Sequence, residues 1–419
     1  MYHNHEVFDY LKRATIYEVN IRQYTIEGNF KAFQEHLPRL KEMGVDIIWL
    51  MPIHPIGKIN RKGSLGSYYS IQNFTEINSE FGTLSDFKNL VDQIHVLGMK
   101  IIMDWVANHA AWDNVWTKTN PEYFVQNEMG EFLSPYDWTD VIQINHQNEA
   151  AHEAMIASMN FWVEVFDVDG FRADLAHLTP LDFWIKAKQK VDTIKSNLIW
   201  LAETEDENYH EVFDISFAWK WMHKTESFCK ENQSIIPLKE LLFSEKNRIS
   251  KNGLQLFFTS NHDENSWNGT EYEKYGIFVK AFAVFSFFYS HSVPLIYSGQ
   301  ELPNKKRLSF FDKDTIQWQN ELELFSFYQT LSNARKFLPK GDYFHFYDAP
   351  ERSFIFQRGI GAGALIVMIN LNYEINYFNL VIEHPVYAIN IFTKEKYHFI
   401  ENIEFELEAG GFVCLQLIE

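Results

Sequence analysis

Four acidic residues, Asp104, Asp174, Glu203 and Asp263, each close or follow a short apolar run: IIMDW, GFRAD, IWLAE and LFFTSNHD. Taken singly, a carboxylate after such a run reads as a helix N-cap. Four at equivalent places need a different account. If the runs are strands ending on one face, their carboxylates converge, and the set suits cleavage of a glycosidic bond. One carboxylate attacks the anomeric carbon while a second, still protonated near neutral pH, gives its proton to the departing oxygen. Burial or a neighbouring negative charge must raise the pKa of that second group. Arg172 lies two residues before Asp174, so strand alternation puts both side chains on one face. Its guanidinium would keep Asp174 ionised and oriented. Spacing alone does not say which carboxylate attacks and which protonates.

The elements that would position these groups follow a β-then-α rhythm. Strands are expected at 15–20, 46–51, 100–105, 169–174, 198–203, 254–260 and 293–298, with a weaker candidate at 212–217. Helices are expected at 30–43, 84–97, 149–166, 181–196 and 271–290. Parallel strands joined by right-handed crossovers satisfy this order, and about eight units in succession fit a closed (β/α)₈ barrel of the TIM type better than an open sheet. Residues 110–148, rich in Asn, Pro, Trp and Asp, are too long for an ordinary connection after the third strand and read as a small cleft-lining subdomain. After a helix at 322–337 the pattern changes to short alternating runs such as SFIFQR and ALIVMINL, the mark of an antiparallel β domain. The expected division is a barrel over 1–339, insertion 110–148 included, and an all-β domain over 340–419.

Composition narrows the function classes. The 419 residues carry a net charge of −19, which repels nucleic acid and anionic membranes. Aromatic residues reach 16% of the chain. That is more than most cores require, and sugar clefts use ring faces against apolar pyranose C–H groups. Two cysteines, Cys229 and Cys414, are too few for a disulfide framework and are expected as buried apolar fillers. No Cys/His cluster with zinc spacing occurs. His3 and His5 are expected in solvent. The N-terminal stretch has neither a basic nor an apolar signal region, and no carbohydrate-binding module follows the β domain. The first favours a cytoplasmic setting, and the second a soluble rather than a particulate substrate.

At the same residues the sequence resembles the α-amylase family of glycoside hydrolases. Asp104-Trp-Val-Ala-Asn108-His109 resembles its first signature, Gly170-Phe-Arg172-Ala-Asp174 the second, Leu201-Ala-Glu203 the third and Phe258-Thr-Ser-Asn-His262-Asp263 the fourth. Weaker marks agree: Gly44 to Pro52, Ser67-Tyr68-Tyr69-Ser70, and Val293 to Glu301. The resemblance implies that Asp174 is the nucleophile, Glu203 the general acid/base and Asp263 the transition-state stabiliser. It places Tyr69, His109, Arg172 and His262 around the reacting sugar, with Asp104 and Asn108 as structural braces.

Two positions depart from the family pattern. Many members hold calcium through the first-signature Asn and an Asp in the insertion, where this chain has Gln143. A neutral amide is a poor ligand for a hard cation, so neither a metal nor another cofactor is expected. His177, where many members have Lys, is either a product-side hydrogen-bond donor or a packed rim histidine. Of Trp112, Trp116 and Trp138, one or two are expected to serve as sugar platforms, and Leu308 to Asp314 reads as a cleft-edge loop of unassigned role.

The implied activity is retaining hydrolysis of α-1,4-glucosidic bonds in maltooligosaccharides or starch fragments. The alternatives are a glucanotransferase, an α-glucosidase of other linkage preference and a non-catalytic carbohydrate-binding member.

Overall fold

The computed structural model describes residues 5–248 and 253–418; His3 lies outside them. Eight parallel strands form a closed barrel in chain order: Ile16–Val19, Ile47–Leu50, Lys100–Trp105, Gly170–Ala173, Ile199–Ala202, Ile215–Phe217, Leu254–Phe257 and Ser292–Tyr297. Ile16 pairs with Ile47 on one side and Leu295 on the other, which shuts the ring. The weak candidate at 212–217 is the sixth strand, only three residues long.

Alternation along the strands sorts the barrel interior by height. Ile16, Ile47, Ile102, Ile199, Ile215, Leu254 and Val293 pack together low in the barrel, and the short helix His5–Leu11 plugs that end with Val7, Phe8 and Leu11. Two residues further along each strand, the inward positions are taken by Glu18, Trp49, Asp104, Leu201, Phe217 and Leu256, all buried. The next inward position after Leu201 is Glu203. A period of two therefore carries one face of a strand from apolar to acidic as it nears the bowl.

Two expected helices are broken. The segment 30–43 divides into Phe30–Gln34 and Leu37–Met43, because Pro38 has no N–H to donate and its ring crowds the preceding turn. The segment 271–290 divides at Gly276, which has φ +53°, into Glu271–Tyr275 and Val279–Phe288. The helices Trp219–Lys230 and Ile236–Arg248 lie in a stretch without a clear sequence pattern.

After the helix Phe325–Lys336, an antiparallel six-stranded sheet and a two-stranded ribbon, Asn376–Val381 with Asn402–Leu407, form the C-terminal unit. One hydrophobic cluster runs without interruption from the barrel helices into this sheet. Phe285 packs on Phe354 and Phe356 at 5.0 and 5.6 Å between ring centroids. Cys229 and Cys414 are free and buried. Among the described residues no helix is long and apolar enough to cross a membrane.

Candidate active site

The four strand-end carboxylates do meet, and Arg172 is the piece that joins three of them, Asp104, Asp174 and Glu203. Its guanidinium is fully buried and donates from one terminal nitrogen to Asp104 Oδ1 at 2.8 Å and to Asp174 Oδ1 at 3.0 Å. The other terminal nitrogen lies 2.9 Å from Glu203 Oε2. Aromatic rings replace water around the cation. The Trp49, Phe217 and Tyr69 rings stand 5.0, 5.5 and 5.9 Å from its central carbon. Asp104 is a brace, as expected, since its second oxygen accepts from Trp49 Nε1 at 3.2 Å and from the Tyr69 hydroxyl at 3.1 Å.

With the Tyr69 hydrogen placed on Asp104, proton counting favours one state of His262. The Tyr69 hydroxyl has given its hydrogen to Asp104, so at 2.8 Å it must accept one from His262 Nε2. His262 Nδ1 lies 2.5 Å from Glu18 Oε1, so this nitrogen donates as well. An imidazole donating from both nitrogens is a cation. Burial alone would lower its pKa, but Asp263 and Glu18 outweigh that and raise it to about 9. Reading motifs misses Glu18. Its only signal is a charged residue in the otherwise apolar strand IYEV.

Burial pushes the Asp174 carboxyl well above its usual range. Arg172 opposes the shift without cancelling it, and Glu203, Asp104 and Asp263 add to it. Arg172 thus favours the ionised form of Asp174, as expected, against burial and three neighbouring carboxylates. One guanidinium shared among three carboxylates cannot neutralise each of them. Burial raises Glu203 too, again against Arg172 and with Asp263 adding. The Leu175 N–H donates to Glu203 Oε2 at 2.8 Å from a backbone at φ +39°. That conformation is costly for leucine. Strain beside the second-signature Asp therefore aims a donor at Glu203. Asp174 Oδ2 is buried with no hydrogen-bond partner among the described residues, a condition native proteins keep where chemistry uses it.

A cavity of about 240 Å³ collects these groups, lined by Tyr69, His109, Asp174, Glu203 and Asp263 together with Lys62, Trp138, Asp140, Phe310 and Phe311. A larger cavity of about 410 Å³ lies between helix Ile236–Arg248 and the C-terminal strand Phe344–Tyr347, with Lys239, His345 and Asp348 on its walls. It holds no carboxylate pair and no barrel strand ends there.

His109 is buried, and burial brings its pKa down to about 4, so it meets a ligand as a neutral ring. It sits on His109–Ala111, which pairs antiparallel with Val141–Gln143 as the frame of the insertion. Trp138 lines the cavity against His109, whereas Trp116 stacks on Phe74 inside the fold and Trp112 donates to Thr139 O. His177 is exposed and outside this cavity, so the packed-rim alternative does not hold. His5 is exposed as expected.

Gln143 pairs with His109 in the insertion ladder, and the Asn108 side chain approaches His109 Nδ1 at 3.4 Å while its carbonyl accepts from Ile144 N. Among the described residues no three His, Cys, Asp or Glu side chains group as metal ligands. These donors fit calcium poorly.

Comparison with known proteins agrees with this geometry. The family model for the alpha amylase catalytic domain matches residues 13–138 and 122–336. The maltogenic alpha-amylase AmyB of Thermotoga neapolitana is 31% identical, with a TM-score of 0.89 over 98% of this chain and 99% of that one. An alpha-amylase of Lactobacillus plantarum is 28% identical, with a TM-score of 0.88 over 97% and 99%. Among curated relatives, Alpha-amylase 2 of Dictyoglomus thermophilum is 24% identical over 87% of this chain and 67% of its own length. A maltosyltransferase of Mycobacterium tuberculosis matches at 28% identity over 42% of this chain, and the match spans only 28% of that relative's length. With the closed parallel barrel, the four signatures converging on one cavity and a family match over most of its length, the chain belongs to the alpha-amylase family of glycoside hydrolases.

Proposed function

We propose that the protein hydrolyses α-1,4-glucosidic bonds of maltooligosaccharides by double displacement with retention of configuration. The observation that carries this reading is the shared grip of Arg172 on Asp174 and Glu203. Two carboxylates held by neighbouring nitrogens of one guanidinium favour the retaining spacing of about 5–5.5 Å over the wider inverting one. The unpartnered Asp174 Oδ2 suits the attacking oxygen, and the resulting bond joins Asp174 to the anomeric carbon. Glu203 gives its proton to the departing oxygen, then takes one from the incoming water that releases the sugar. Asp263, 37% exposed in its side chain and beside the His262 cation, would bind ring hydroxyls as the sugar flattens. Tyr69 supplies a stacking face and His109 holds a further hydroxyl, while His262, both of whose nitrogens are taken by Tyr69 and Glu18, orients Tyr69 and places its charge beside Asp263.

The charge of the site suits such a substrate. Bringing a neutral glucan into a cleft with surplus carboxylates costs no charge repulsion, unlike an anionic substrate. Activity without added metal, and a cytoplasmic setting in the native host, belong to the same reading. Transfer to a sugar acceptor is the second reading, favoured by maltosyltransferases among the relatives. The test is maltoheptaose with product chromatography and NMR of the newly formed anomer. Release of α-configured, shorter maltooligosaccharides supports the proposal. A first-formed β-anomer would overturn retention, and chain lengthening without net reducing-sugar release would replace hydrolysis with transfer.

A further inference from the structure

The cleft is walled asymmetrically, and the wall stands where the retained part of the substrate must lie. Glu203 follows the fifth strand, opposite the first strand in an eight-stranded ring. As the acid of the proposed reaction it faces the departing oxygen, so the leaving half of the chain passes the fifth-strand side. The half that stays on the enzyme therefore runs towards the loops flanking the first strand, those after the second and eighth strands. These two loops are sewn together. Ser64 N donates to Asp312 Oδ1 at 2.9 Å and Leu65 N to Phe311 O at 3.0 Å. Gly63 at φ +64° lets them touch, since a Cβ there would lie 2.4 Å from Phe311 Cβ. Only glycine adopts such a backbone without that side-chain clash.

Above the seam, Phe310 lies parallel to Tyr69 at 6.3 Å and packs on the half-exposed Trp267 at 5.4 Å. At the other end of the wall, Lys62 reaches from the same second-strand loop to the insertion and pairs with Asp140 at 2.8 Å. Lys62, Asp140, Phe310 and Phe311 all line the catalytic cavity. The Lys62 side chain is 38% exposed and that of Asp140 8%, so Lys62 compensates a buried carboxylate while presenting its own charge to solvent and cavity.

We propose that the Lys62–Asp140 pair, backed by Phe310 and Phe311, ends the cleft on the retained side. The enzyme then acts from the non-reducing chain end and releases units of one or two sugars. The inference rests on the hydrolytic reading above and adds its direction of attack. Chemistry supports the stop. An internal α-1,4-linked unit carries its next sugar on O4, whereas the terminal unit presents a free 4-hydroxyl. An ammonium and a carboxylate at the end wall can bond that hydroxyl, which an internal unit does not offer.

The experiment compares p-nitrophenyl maltoheptaoside with the same compound blocked at its non-reducing end by a 4,6-ethylidene group. Wild-type enzyme should favour the unblocked form in kcat/KM by about ten-thousandfold, the scale set when a site built for a hydroxyl loses it. Lys62→Ala and Asp140→Asn should each reduce this ratio about tenfold by speeding cleavage of the blocked compound. Exchanging the two charges, Lys62→Asp with Asp140→Lys, should restore part of it. Equal wild-type rates on both compounds would overturn end-directed action and leave hydrolysis standing. An unchanged ratio in both single variants would remove the ion pair as its determinant. Failure to cleave even unblocked maltoheptaoside would sink the hydrolytic reading, and this inference with it.

Discussion

Two buried aspartates bracket the fourth barrel strand, and they live under opposite electrostatics. Asp169 precedes the strand at the barrel floor, and Asp174 follows it at the bowl. Burial works to raise both. At the floor, His95 Nε2 at 2.8 Å, Lys195 at 2.9 Å, Lys100 at 3.6 Å and the Ile101 N–H at 2.9 Å overwhelm burial and hold Asp169 down at about 2. At the bowl, a single Arg172 serves Asp104, Asp174 and Glu203 together, and Asp174 rises well above its usual range. A carboxylate surrounded by excess cation locks strands in place. One that competes for too little cation keeps a mobile proton and a reactive oxygen. One short strand separates stability from chemistry, as the two faces of this barrel type generally do.

The largest effect that could break this contrast is on turnover. Asp174→Ala and Glu203→Gln should each lower kcat by about a thousandfold or more with little change in Tm, because neither group has its charge fully compensated. Wild-type-like turnover in either variant would remove it from the chemistry, and a collapse of Tm would make the bowl structural like the floor.

The mirror-image experiment is Asp169→Asn, which should cost about 2–3 kcal/mol of stability while leaving kcat nearly unchanged. Its sign with pH is fixed. The folded pKa, at about 2, lies below the unfolded one at about 3.9. The contribution is therefore complete above about pH 4 and vanishes as pH falls through the folded value. Unfolding curves at pH 3 and pH 6 that show the same deficit would refute the account.

A smaller, sharper test concerns Glu18. His262 is raised to about 9. Its charge is complete below the ordinary value of about 6.5 and is lost as pH climbs through the raised one. The alkaline limb of kcat/KM should lie there, and Glu18→Gln should move it down by about one unit as one of the two supporting anions is removed. An unmoved limb would show that Glu18 only fills space.

The smallest expected effect is that of metal removal. Prolonged EDTA treatment should leave activity and Tm almost unchanged, because Gln143 offers an amide where a hard cation needs a carboxylate. A fall of about ten degrees, reversed by calcium, would reveal a ligand set elsewhere in the chain.

The barrel was legible because its strands are short apolar runs with Gly or Pro stops, and because strand ends carry the chemistry. The sixth strand was faint for a physical reason: Ile215–Phe217 has three residues, too few for alternation to register. Glycine at 276 and proline at 38 broke helices that periodicity alone would have drawn through. His177 illustrates a different gap, since its place in a motif said nothing of its exposure.

The sequence by itself determined which carboxylates meet. Arg172 and Asp174 share a strand face whatever the rest of the chain does, and four acidic strand ends in a closed ring must converge. Only the tertiary structure decided how much cation each carboxylate receives. Glu18 and His262 are 244 residues apart, and Lys62 and Asp140 belong to different loops. No local period records pairs brought together by ring closure and loop packing. Charge compensation falls off over a few ångströms, so it is set by neighbours in space, and those are fixed only when the barrel shuts.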